Sequence, residues 1–307
     1  MYDVVVVGKA NIDYLARGAQ LPRPGEGING DAFQEACGGK GANQAVGAAR
    51  LGALVALVAR IGNDVRGDTV LAALRADGVD ASHVTRDPLA HTGVALCQVD
   101  AAGNKQILSA AGANAKLDAA AVRDAAPALR ACKVLLCQLG VPFEAFAEAV
   151  RLAKASGARV VLDPAPGFPL PDEILAQLDL VRPNALEARA MTGLEVTDRE
   201  SARQAAHHLV QRGARAAAVQ AGGEGDVLVW RGGETFLPRF EVKRVDVTGA
   251  GDAFASAFAF CLAQDRELPE AGRFASAAAA LATTRLGAQA SLPKRAQVEA
   301  LLLQSRK

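Results

Sequence analysis

Between residues 134 and 163 the chain reads Val134-Leu-Leu-Cys137, then an alanine-rich amphipathic stretch Phe143–Ala155, then Val160-Val-Leu-Asp163. Runs that are apolar on both faces suit strands buried inside a parallel sheet, and the stretch between them has a helical period. The segment therefore predicts a strand–helix–strand unit. The alternation continues on either side. Val4–Val7, Leu180–Arg182 and Ala216–Gln220 are further strand-like runs, and Glu200–Arg212 and Leu268–Thr284 are further helical stretches. Together they predict an α/β fold, a doubly wound, mainly parallel sheet flanked by helices. In such sheets ligands bind beyond the carboxyl ends of the strands.

Two regions break the alternation. Asp13–Cys37 holds Pro22, Pro24 and several glycines among short extended pieces, and Thr92–Val99 with Lys105–Ala110 reads as a hairpin about Gly103-Asn104. These pieces predict a small β-sheet lid, formed by residues 13–38 plus 91–112, on a single domain spanning 1–307.

Composition excludes several classes. Half of the 307 residues are apolar, which supports a large core and argues against disorder. A net charge of +1 and 4% aromatic residues leave no footprint for nucleic acid. The start, Met1-Tyr-Asp-Val-Val-Val-Val-Gly8, reads as a first strand rather than a signal peptide, and no apolar run is long enough to span a membrane. The five cysteines form no Cys-x-x-Cys pair and have no histidine at metal spacing. A cytoplasmic protein is expected.

Four motifs carry chemistry. Val245-Asp-Val-Thr-Gly-Ala-Gly-Asp-Ala-Phe254 is a glycine turn opening into an apolar helix. It places Asp252 in the first helical turn, where unpaired amides and the positive helix end attract an anion. The segment offers both a base and a cradle for a transferred phosphoryl group. Cys37-Gly-Gly-Lys-Gly-Ala-Asn-Gln-Ala45 is a glycine cluster with donors Lys40 and Asn43, lacking the Walker A pattern; alone it reads equally as a flexible turn. Gly8-Lys-Ala-Asn-Ile-Asp13 puts Asn11 and Asp13 at alternate positions, suited to a polyhydroxylated ligand or to an Asx turn. Arg182-Pro-Asn-Ala-Leu-Glu187 reads as a capping box or as a magnesium-linked carboxylate. A further loop, Gln220-Ala-Gly-Gly-Glu-Gly225, is a hairpin turn or a nucleotide-phosphate loop, and no Gly-x-Gly-x-x-Gly fingerprint accompanies it.

Taken in order along the whole chain, these motifs resemble the ribokinase-like family of carbohydrate kinases. The resemblance implies transfer of the ATP γ-phosphoryl group to a sugar hydroxymethyl oxygen, with D-ribose as the leading acceptor. It implies a homodimer through the lid, and ATP, Mg2+ and K+ as cofactors. By position, Asp252 becomes the base, and the turn from Gly249 supplies the anion hole through the amides of Ala250, Gly251 and Asp252. Asn11, Ile12, Asp13, Gly39, Lys40, Gly41, Ala42, Asn43 and Gly140 fall on the sugar side. Asn184, Gln220, Ala221, Gly222, Gly223, Glu224, Gly225 and Ser276 fall on the ATP side, with Gly251 and Asp252 shared. Glu187 matches the magnesium-linked motif, and Asp246, Thr248, Ala282, Arg285, Gly287 and Ser291 match a monovalent cation site. At a helix start, Asp252 is expected to have a lowered pKa.

Two departures stand out. Gly140, in Leu136-Cys-Gln-Leu-Gly-Val-Pro142, lies where the family carries a sugar-binding Glu, a loss of about 1.5–3 kcal/mol of charged hydrogen bonding. The gap points to a bulkier acceptor, such as a nucleoside or another furanose or ketose, as the alternative substrate. Lys9 stands where a small residue is usual. A non-catalytic sugar sensor is the reading from a different class.

Overall fold

The computed structural model describes residues 1–102 and 104–305. Thirteen strands divide between two sheets. In chain order they are β1 (Tyr2–Val7), β2 (Asn11–Arg17), β3 (Ala32–Gly38), β4 (Val55–Gly62), β5 (Val84–Asp87), β6 (Gly93–Val99) and β7 (Lys105–Ala110). They continue with β8 (Cys132–Gln138), β9 (Arg159–Asp163), β10 (Leu180–Val181), β11 (Ala216–Ala221), β12 (Gly225–Trp230) and β13 (Gly233–Pro238). The large sheet has the order β13-β12-β11-β10-β9-β8-β1-β4-β5, parallel from β11 to β5, with β12 and β13 added antiparallel.

The unbroken apolar runs follow from burial on both faces. Val4 and Val6 of β1 join a core containing Phe254 and Phe258, while Val5 and Val7 join one containing Phe146 and Leu162. The helix Ala250–Ala263 is buried at every position from Asp252 onward, so it is apolar all round and has no solvent stripe. The expected strands and helices are present with small shifts at their ends. The strand at 180–182 is the shortest, two residues, because Pro183 follows and donates no ladder bond.

The four strands β3-β2-β6-β7 form a separate small sheet over the carboxyl ends of β1 and β4, built from the two regions that break the alternation. Part of the expected hairpin turn, Gly103, lies outside the described residues. Among the described residues no helix is long and apolar enough to cross a membrane.

One close approach fixes the mouth of the site. The helix Lys40–Arg50 starts against the end of β1, where a Cβ on Gly41 would lie 2.6 Å from the Gly8 carbonyl carbon. Only glycine allows that contact, which sets Lys40, Asn43 and Gln44 beside the strand ends.

Candidate active site

The helix Ala250–Ala263 begins after Gly249, whose φ of 86° is the left-handed turn expected of glycine. Among the described residues the amides of Gly251 and Asp252 have no acceptor in the chain, whereas that of Ala250 is 3.3 Å from the Val247 carbonyl. The anion cradle therefore rests on two free amides rather than three. Asp252 is buried in the same turn. Its Oδ2 accepts from Asn43 Nδ2 at 2.9 Å, and its Oδ1 accepts from Gln44 Nε2 at 3.0 Å. Gln44 Nε2 also donates to Asp163 Oδ2 at 2.7 Å, and Gln138 Nε2 donates to Gln44 Oε1 at 2.5 Å. Lys40 Nζ lies 2.8 Å from Asp163 and 3.7 Å from Asp252. Burial opposes the charge on Lys40, but the two carboxylates more than compensate and hold it protonated.

This setting overturns the expectation of a lowered Asp252 pKa. Burial, then the like charge of Asp163, raises it against the pull of Lys40, Asn43 and Gln44. A raised pKa makes the carboxylate a better proton acceptor.

Asn11 and Asp13 lie on one face of β2, and Asp13 is near enough to Asp252 for the two charges to act on one another. Asn11 Oδ1 accepts from Asn114 Nδ2 at 2.8 Å, and Asn114 also binds both backbone groups of Ala10, so the turn after β1 is locked. Asp13 Oδ1 is buried without a hydrogen-bond partner among the described residues. Burial, reinforced by Asp252, pushes its pKa up to about 6. Ile12, expected on the sugar side, points the other way into the core, as strand alternation requires. Ala42 is likewise a core residue; its amide donates to the Lys9 carbonyl.

A cavity of about 360 Å³ opens from Asp252 along the helix start toward Asn184, Gln220 and Ser276. Asn184 and Glu187 form the capping box in full: Asn184 Oδ1 accepts from the Glu187 amide and Glu187 Oε2 from the Asn184 amide, both at 2.9 Å. Gln220 lines the cavity, but Ala221–Gly225 is the β11–β12 hairpin turn with its tip exposed at the rim. The Ser276 hydroxyl is buried without a partner among the described residues. Arg182 is buried beside this cradle, paired with Asp226 at 3.0 Å, 4.8 Å over the Phe254 ring and close against Gly251.

A buried carboxylate, two free amides and a long polar cavity thus share one helix start. Residues 1–295 match the family model described as pfkB family carbohydrate kinase. This chain belongs to the pfkB family of carbohydrate kinases. It is 38% identical over 292 residues to a protein named ribokinase from Haemophilus influenzae, covering 95% of each chain. It is 35% identical to a deoxyribokinase from Salmonella typhi, again over 95% of each. A solved Arabidopsis thaliana ribokinase complexed with ribose and ATP superposes with a TM-score of 0.90 at 32% identity, over 98% of each chain.

In this pfkB kinase the cation loop departs from expectation. Lys105, on β7 of the small sheet, places Nζ 2.5 Å from Asp246 Oδ1 and also donates to the Thr248 hydroxyl. Asp246 Oδ2 accepts from the Gly287 amide at 3.0 Å, and Ser291 Oγ is turned to the Ala288 carbonyl. Burial opposes ionisation of Asp246, but Lys105, Thr248 and the Gly287 amide bring its pKa down to about 2. With both carboxylate oxygens engaged and its charge neutralised, this set does not fit a further monovalent cation at Asp246. Among the described residues the expected ligands Ala282 and Arg285 make no hydrogen bond with Asp246, whose loop instead hangs from the Thr283 carbonyl through the amides of Val245 and Asp246.

Magnesium fits better. Among the described residues there is no cluster of three metal-ligating side chains. Glu187 and Asp163 nevertheless both face the cavity, and a hydrated magnesium needs only one or two carboxylates besides phosphate oxygens. Burial raises the pKa of Glu187, a cost that a bound cation would relieve.

Reading the motifs alone assigned no role to Gln44, Gln138, Asn114, Lys105, Asp163 or Arg182. Gln44, Gln138 and Arg182 lie inside quoted stretches; nothing local marks Asn114.

Asp13 supplies a pH test. As the expected sugar contact it would accept from hydroxyls in its ionised form, so sugar binding should be complete above about pH 6 and be lost as pH falls through that value. The KM for sugar should rise below that point by up to about tenfold per pH unit, while Asp13→Asn should show a high, pH-independent KM. A flat wild-type KM between neutral and acidic pH would remove Asp13 from the sugar contacts.

Proposed function

We propose that this pfkB kinase is an ATP-dependent ribokinase, transferring the γ-phosphoryl group to the hydroxymethyl oxygen of D-ribose to give D-ribose 5-phosphate. The observation that carries the reading is Asp252, held by Asn43 and Gln44 beside two free amides, between the Asn11/Asp13 face and the cavity. The whole-length likeness to proteins named ribokinase supports the choice of acceptor. In this account Asn11, Asp13, Gly39, Lys40 and Asn43 orient the sugar so that its hydroxymethyl group meets Asp252. Asp252 takes the hydroxyl proton. The amides of Gly251 and Asp252, with Arg182 alongside, meet the charge that spreads over the transferred phosphoryl group. Asn184, Gln220 and Ser276 border the nucleotide. Glu187 and Asp163 would hold a hydrated magnesium bound with ATP, which would offset phosphate charge there. The loose transition state asks for positioning and charge more than for a strong base.

The alternative of a bulkier acceptor rested on a gap at Gly140, and the side chain of Lys9 occupies that space. The small sheet acts as a lid that excludes water and limits ATP hydrolysis. Its outer face, turned away from Asp13, exposes Phe33, Leu96 and Leu108, which suits a dimer contact between two such sheets. Five free cysteines fit a reducing, cytoplasmic setting.

Two results test this reading. Asp252→Asn should lower kcat on ribose by about 10²–10⁴ in a coupled ADP-release assay, with the fold retained; near-normal turnover refutes the role. In place of a bound potassium ion, Lys105 supplies the positive charge at Asp246. Wild-type turnover should therefore be the same in potassium and in choline buffers, and Lys105→Met should become potassium-stimulated. Strong stimulation of the wild type would show that the ammonium does not fill the cation's place.

A further inference from the structure

The Lys9 side chain leaves the end of β1 and runs across the pocket to the loop after β8. A Cβ on Gly140 would meet Lys9 Cε at 2.6 Å, Cδ at 2.9 Å and Nζ at 3.2 Å. The stem of Lys9 thus fills the volume that any side chain at 140 would need. The two departures seen in sequence are one exchange, a cation reaching in from β1 where a carboxylate would have reached in from the β8 loop.

The Lys9 ammonium is half-buried and makes no hydrogen bond or ion pair among the described residues. Burial and then the nearby Lys40 lower its pKa, while the fields of Asp13 and Asp252 draw the other way. Asp13 shares the deficit, since its Oδ1 is buried and unpartnered. Lys9 and Asp13 feel one another's charge yet do not pair, so a single polar group can serve both. A hydroxyl does this: its oxygen accepts from an ammonium while its proton goes to a carboxylate.

We propose that Lys9 is the specificity-determining residue of the acceptor pocket, donating to a sugar hydroxyl that in turn donates to Asp13. The inference rests on the reading of this pocket as the sugar site. The ligand class that follows is a polyhydroxylated sugar for which one ring hydroxyl is obligatory. An analogue lacking that hydroxyl leaves a half-buried cation and a buried carboxylate oxygen unpaired, a larger penalty than losing one neutral contact. The donor at this position also makes the contact indifferent to loss of the carboxylate at 140.

The test uses the full-length enzyme, Mg·ATP, and a panel of D-ribose, 2-deoxy-D-ribose, D-fructose and inosine. Lys9→Met keeps the stem and removes the charge. On whichever panel sugar the wild type turns over fastest, Lys9→Met should raise the sugar KM by about 10–100-fold, the worth of a charged hydrogen bond. It should leave the KM for ATP, kcat and the unfolding temperature close to wild type, and Lys9→Arg should recover part of the loss. Gly140→Glu alone should also raise the sugar KM, because the new carboxylate takes the ammonium; Lys9→Ser with Gly140→Glu should bring it back toward wild type. An unchanged sugar KM in Lys9→Met, or a fall in kcat at constant KM, overturns the proposal. Preference of the wild type for a sugar other than ribose overturns the ribokinase reading instead, and leaves the Lys9 comparison intact on the preferred sugar.

Discussion

Two buried carboxylates, Asp163 at the end of β9 and Asp252 at the start of the helix Ala250–Ala263, are held near one another by a shared amide, Gln44, and a shared cation, Lys40. Burial and the like charge of Asp163 raise the pKa of Asp252. Lys40 supplies the compensating charge, and the Gln44 side chain fixes where each oxygen points. Gln138 in turn holds the far oxygen of Gln44. The rest of the site hangs on this arrangement, because the free amides of Gly251 and Asp252 are useful only if the neighbouring carboxylate is ionised, placed and oriented.

The architecture explains how residues so distant along the chain arrive together. In a parallel sheet every strand ends on the same side, so β1, β8, β9 and β10 deliver Lys9, Gln138, Asp163 and Arg182 to one edge. Two helices then bring their starts to that edge, one carrying Lys40, Asn43 and Gln44, the other carrying Asp252. Close packing of the glycine loop on Gly8 sets the first helix, and the left-handed turn at Gly249 sets the second. The small sheet adds Asp13 from above and, through Lys105, ties its far strand to the loop before the anion cradle.

Much of this was legible in the residues. Strand runs apolar on both faces can lie only in a sheet covered on both sides, and a glycine turn running into an apolar helix announces a buried helix start. The placement of Asp252 in a buried first turn was visible for that reason. Its pKa was not, because the helix-end argument is local while burial and the charge of Asp163 are tertiary. The same distinction separates the remaining successes and failures. The capping box of Asn184 and Glu187 spans three residues and could be read directly; the Lys105–Asp246 pair spans 141 and could not. Gly140 looked like an empty place only because nothing near it in sequence shows that Lys9 leans across it. Ile12 was credited to the sugar side by adjacency, although the alternation that pairs Asn11 with Asp13 turns Ile12 to the core.

The site is a balance of charges: burial and Asp163 raise the pKa of Asp252, while Lys40, Asn43 and Gln44 pull it down. The measurement that bears on this most directly is a carbon-13 NMR titration of the Asp252 carboxylate in the sugar-free enzyme. The account predicts a pKa above the ordinary aspartate value of 3.8, with Lys40→Met raising it further. A pKa below the ordinary value, as a bare helix start would impose, would contradict the claim that burial and Asp163 govern the base.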